Sequence, residues 1–162
     1  MLALSALGSP AAAQTAPLAG SWDIDPAAGT AIDPWSRIHL DITIDGDAIT
    51  IGRTFSAGRR VTSQVYPLKL GETVAVPVKW WAGNRHIGAY MGGDMTEKIR
   101  ADWMDGGQTL KLESHYILST SQGETPVRST FEYRLSPDGR ELTVIELRSS
   151  RNKPVVHVFH RS

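Results

Sequence analysis

The chain has 162 residues and no cysteine. A disulfide framework, a thiolate nucleophile and a thiolate metal site are all excluded on that ground. An extracytoplasmic address is not, because a domain of this size can hold a core without bridges. Charge of one sign is lacking too: 17 basic residues meet 17 acidic ones, for a formal net charge of zero. Sequence-independent nucleic-acid binding needs a basic surface that displaces counterions, so no nucleic-acid partner is expected. Beyond the first residues no segment approaches the ~20 apolar residues of a spanning helix, so no membrane span is expected. Nor does any segment after the leader sustain the 3.6-residue period of an amphipathic helix. The Gly-x-Ser-x-Gly elbow and the His-Glu-x-x-His pair are absent, and Gly92-Gly93 leads into neither Lys-Ser nor a helix. No catalytic residue, metal ligand or cofactor is therefore assigned.

What is present begins with a leader. Leu2 to Leu7 form a short apolar run, and Ala11-Ala12-Ala13 offer the small-x-small pattern of a signal-peptidase site. No Lys or Arg precedes the run. Cleavage after Ala13 and export to the periplasm or beyond are expected, with a disordered Ala/Pro-rich tail as the plainer alternative. Residues 1–19 are set apart as signal peptide or leader. Residues 20–162 form one domain, expected as a monomer or weak oligomer.

That domain alternates. Ile38, Leu40, Ile42 and Ile44 share one face of a strand over 37–44, opposite His39, Asp41 and Thr43. Asp45-Gly46-Asp47 signals a hairpin into a return strand over 48–55. Further strands are expected over 60–66, 73–79, 95–103, 109–118, 127–135, 141–148 and 154–160, with a weaker one over 86–90. Pro77 marks an edge, a bulge or a strand end, since it donates no ladder hydrogen bond. Residues 119–126 look like a polar loop. Ser136-Pro137-Asp138-Gly139 is a strong turn. Eight to ten strands without intervening helices predict an antiparallel sandwich or barrel.

Three segments resemble the lipocalin-like group of exported bacterial β-proteins within the calycin class. They are the opening Leu18-Ala19-Gly20-Ser21-Trp22-Asp23, the Ile44–Ile51 hairpin, and the strand-turn-strand from Tyr133 to Val144. The resemblance implies an up-and-down β-barrel whose first and last strands meet. It also implies that Arg161 covers Trp22 through a cation–π contact, worth about 0.5–2 kcal/mol. Two family features are missing: a Thr-Asp-Tyr signature and the disulfide.

Candidate site residues follow from residue type and strand parity. Trp80, Trp81 and Tyr90, around a glycine-rich stretch, are candidates for the mouth of a cavity, with Trp103 nearby. The plainer reading makes Trp103 core and leaves one of Trp80 and Trp81 capping a loop, because neighbours in a strand face opposite ways. Arg53 falls on an otherwise apolar face. There it would anchor a ligand carboxylate or pair with Glu97 as a buried structural ion pair. Glu146 lies on a strand whose inward sense is ambiguous. Ile42, Ile51, Leu112 and Phe131 are expected to line the cavity. His157 and His160 face opposite sides of one strand and cannot chelate together. The expectation is an exported barrel binding a small apolar or amphipathic ligand through Arg53, Trp80, Trp81, Tyr90, Trp103 and Phe131. The alternatives are a filled-barrel interaction module, or a hydrolase or isomerase using Arg53 with a carboxylate such as Glu97.

Overall fold

The structure, a computed structural model, describes residues 18–80 and 89–162. Among these the elements are strands: β1 (Gly20–Gly29), β2 (Arg37–Asp45), β3 (Ala48–Ala57), β4 (Arg60–Lys69), β5 (Thr73–Pro77), β6 (Tyr90–Met91), β7 (Thr96–Met104), β8 (Thr109–Thr120), β9 (Gly123–Leu135), β10 (Glu141–Arg148) and β11 (Val155–Arg161). Antiparallel pairing runs β4-β3-β2-β1-β11-β10-β9-β8-β7-β5, with the short β6 added to β8. The sheet curls into a nearly closed antiparallel barrel. The first and last strands meet, Trp22 opposite Arg161 and Ile24 opposite Phe159.

The seam left over lies between β4 and β5, which approach each other without a ladder. Side chain and bridge replace it. Gln64 Nε2 donates to the Pro77 carbonyl at 3.2 Å. At the far end the Gly71 amide donates to the Ala101 carbonyl at 2.9 Å, beside a parallel Leu70–Ala101 bridge. Pro77 ends β5, and Pro67 sits in the edge strand β4, the two places where a missing N–H is harmless.

Strand parity sends alternate residues inward. The end of the barrel holding the β2–β3 turn is filled: Trp22, Ile42, Ile49, Ile51, Leu110, Leu112 and Leu142 are each at most 2% exposed. Leu18 plugs this end, and its carbonyl accepts from Trp22 Nε1 at 3.1 Å. Burying one such tryptophan removes roughly 150–250 Å² from water, about 4–6 kcal/mol of transfer free energy. Arg161 lies over the Trp22 ring at 4.3 Å, as the resemblance implies, and hydrogen-bonds the Ala19 and Gly139 carbonyls.

Three expectations are corrected. Residues 119–126 are not a loop: β8 and β9 continue as a hairpin to the Thr120–Gly123 pair. The polar run there is a strand pair extending past the core, where no apolar face is required. Met95, expected to open the strand over 95–103, precedes β7 in a turn with φ 56° and is exposed, so Glu97 begins the inward series. Ile42, Ile51 and Leu112 pack the closed end instead of lining a cavity. Of the weak strand over 86–90, residues 86–88 lie outside the described residues, and Tyr90 pairs with Ser119.

Candidate functional site: a two-ended cavity

At the other end the inward side chains do not meet. They leave a cavity of ≈130 Å³, room for several waters at ~10–15 Å³ each. The loop between β1 and β2 supplies Ile32 and Trp35, β3 supplies Phe55, and the chain leaving β5 supplies Val78 and Trp80. Trp35, Phe55 and Trp80 form an aromatic cluster, with ring centroids 5.4 Å (Trp35–Phe55), 5.2 Å (Phe55–Trp80) and 6.0 Å (Trp35–Trp80) apart. Arg60 stacks over Trp35 at 5.1 Å. This apolar mouth resembles the lining of small-molecule sites, which need an apolar wall and a few placed polar groups.

The polar groups lie deeper. Arg53, two residues before Phe55, points inward by parity. Its guanidinium stands over the Tyr66 ring at 5.0 Å and the Phe131 ring at 4.8 Å, and Nη2 donates to the Tyr133 hydroxyl. Burial alone would lower its pKa, but Tyr133, Tyr66 and Glu97 outweigh that and hold it up. A guanidinium is charged throughout the accessible range in any case. Tyr66 is raised by burial, against the pull of Arg53 and with a further push from Glu97. Burial likewise raises Tyr116. Both phenols are therefore neutral donors at ordinary pH.

Glu97 is 8% exposed and accepts from the Ser114 hydroxyl. Glu146 also points inward, which settles its strand: Leu142, Val144, Glu146 and Arg148 take the inner face while Leu147 is 49% exposed. Arg148 Nη2 and Nε reach Glu146 Oε1 at 2.6 and 2.9 Å. Ser129 joins Tyr116 at 3.3 Å to Glu146 at 3.4 Å. Arg53 and Glu97 do not form a direct ion pair; Tyr66 lies between them, its ring against the cation and its hydroxyl beside the carboxylate.

Of the six predicted site residues, the structure brings Arg53, Trp80 and Phe131 to one cavity. Tyr90 is 64% exposed and turned outward; its neighbour Met91 takes the inward position. Trp103 packs against the core away from the cavity. Trp81 lies outside the described residues. His157 lines the cavity while His160 is exposed, opposite sides as parity requires. Sequence reasoning missed Trp35, which sits in an aperiodic loop, its neighbour Phe55 as part of the aromatic mouth, and Tyr66 and Tyr133 as partners of Arg53. The signal for Phe55 was present: it shares the inward parity of Arg53. Among the described residues no group of three or more His, Asp or Glu side chains converges on a metal position.

Comparison with protein-family models found no match, and neither did comparison with curated protein sequences. Solved structures do match. A human protein titled cRBP IV superposes with TM-score 0.55 at 14% identity, covering 90% of this chain and 98% of its own. A protein titled REP1-NXSQ fatty acid transporter gives 0.52 at 13%, covering 90% and 96%. A Schistosoma mansoni fatty acid binding protein in complex with arachidonic acid gives 0.51 at 9%, covering 91% and 97%. At these identities the likeness is one of fold: the chain is an all-β, lipocalin-like antiparallel barrel.

Proposed function

We propose that this barrel carries a small amphipathic molecule, its carboxylate head at Arg53 and its apolar chain toward the aromatic mouth. The observation that carries the reading is the state of Arg53. Among the described residues its one hydrogen-bond partner is Tyr133, and it forms no ion pair. A guanidinium has five donors in a planar fork suited to a carboxylate. A half-buried cation with no carboxylate in direct contact is costly, and a ligand anion on its free donors would relieve that cost. The names of two structures of similar fold, a fatty acid transporter and a fatty acid binding protein, support the same ligand class. They also favour a binding protein over an enzyme. A filled barrel describes the closed end only.

Titration with sodium dodecanoate tests this, followed by tryptophan fluorescence and by calorimetry. Saturable one-to-one binding is expected. Arg53→Met should weaken it by roughly tenfold to a hundredfold, the worth of a hydrogen bond to a charged group. Equal affinity in the variant, or no saturation in the wild type, would overturn the reading. Export belongs to the same proposal: N-terminal sequencing of protein recovered from outside the cytoplasm should begin at Gln14. An uncleaved start would remove it.

A further inference from the structure

The cavity lining holds three guanidinium groups and three carboxylates: Arg53, Arg148, Glu97 and Glu146 inside, with the exposed Arg151 and Asp33 at the rim. Formally it is neutral before any ligand enters. One of the inner pairs is closed, since Arg148 and Glu146 are 2.6 Å apart. The other is open: Arg53 and Glu97 are separated by Tyr66. Resting on the reading of Arg53 as the head-group site, we propose that Glu97 takes up a proton when a carboxylate binds there. The ligand would then enter as an electroneutral set of anion and proton.

The physical reason is the one that governs any two carboxylates sharing one cation. A ligand carboxylate on Arg53 takes the charge that had faced Glu97 and adds a second anion to an enclosed, low-dielectric space. One of two such carboxylates then keeps a proton. Glu97 is better placed to hold it than the ligand. The ligand head receives the Arg53 fork, whereas Glu97 has neutral hydroxyl neighbours, Ser114 and Tyr66. Ser114 tolerates the change, because a hydroxyl that donates to a carboxylate can turn and accept from a carboxylic acid.

The groups acting on Glu97 from the packed strands are Arg53 on β3, Tyr66 on β4 and Tyr116 on β8; Tyr133, Glu146, Arg148 and His157 share the same cavity. Burial raises Tyr66 and Tyr116, so both are already protonated. Glu146 keeps Arg148. Of the two interior carboxylates Glu97 is therefore the one with a site for the proton. His157 on β11 also lines the cavity and can carry a proton, so His157→Gln must leave the uptake unchanged, and uptake lost in that variant would overturn the assignment to Glu97. The proton comes from solvent and forms the Glu97 O–H bond; no other bond changes.

The test is calorimetry of dodecanoate binding in phosphate and in Tris, whose ionisation enthalpies differ widely. The difference in heat gives the protons exchanged. The wild type should take up close to one proton per ligand, and where it does, its affinity should fall about tenfold per unit rise in pH. Dodecanol should bind without uptake. Glu97→Gln keeps an acceptor for Ser114; it should bind dodecanoate with no uptake and a flat pH profile. Glu146→Gln should retain the uptake. An infrared difference spectrum of the wild-type complex, which needs no variant, should show a new protonated-carboxyl band.

Dodecanoate binding with no proton uptake would overturn this inference alone. So would uptake that survives in Glu97→Gln and vanishes in Glu146→Gln. No dodecanoate binding at all would remove the reading of Arg53 and this inference with it.

Discussion

Arg161 and Arg53 are both arginines against aromatic rings, and they do opposite things. Arg161 fastens the closed end, covering Trp22 and tying two carbonyls. Arg161→Ala should cost about 1–2 kcal/mol in urea unfolding, summing a cation–π contact and exposed hydrogen bonds. A change below a few tenths would reject the fastening role. Arg53 should do the reverse. Arg53 makes no direct ion pair, and a methionine of similar volume removes the cost of a half-buried charge while keeping the contacts with the Tyr66 and Phe131 rings. Arg53→Met should therefore keep or raise the melting temperature while it loses binding; a large drop would make Arg53 structural. A third residue reports pH. Burial pulls His39 down, but Asp23 at 2.9 Å and Asp41 at 3.3 Å outweigh it, and its pKa lies above the ordinary value. A raised histidine stabilises below its unfolded pKa of about 6.5 and loses that contribution as pH rises through the folded one. His39→Gln should flatten this part of the stability profile, and an NMR titration should place His39 above ordinary histidines. A titration at or below them would contradict the pairing.

At the scale of elements, the β4–β5 seam is the weak line. Each of these strands has a ladder on one side only, so amides of β4 and β5 should exchange with deuterium faster than those of β8 and β9. Equal protection would mean that the seam is as tight as a ladder. Which elements form was largely legible, because period 2 dominates from Arg37 onward and the turns carry their own chemistry. Asp45-Gly46-Asp47 turns with Gly46 at φ 60°, and Gly139 donates to the Ser136 carbonyl at 2.9 Å. The hairpin beyond Ser119 was illegible for a physical reason. Its residues pair with each other and with β6 rather than cover a core, so no hydrophobic alternation records it.

For the whole molecule, the barrel has one filled end and one hollow end. Neither could be read from parity, which says that a side chain points inward but not whether it meets another across the barrel. Ile42 and Ile51 meet partners; Leu40 and Arg53, two residues along each strand from them, border space. The inward sense of Arg53 was legible because a charge broke an apolar series. Trp35 was not, because its loop has no period and its place depends on Phe55 and Trp80 arriving from elsewhere. The proposed binding mode has an orientation: head group deep, chain toward the mouth. The measurement that tests it most directly is an experimental structure of the dodecanoate complex. The account predicts a carboxylate oxygen about 3 Å from the Arg53 guanidinium, beside Tyr133, with the chain ending among Trp35, Phe55 and Trp80. A head group at the rim against Arg151, or a chain lying outside the barrel, would contradict it.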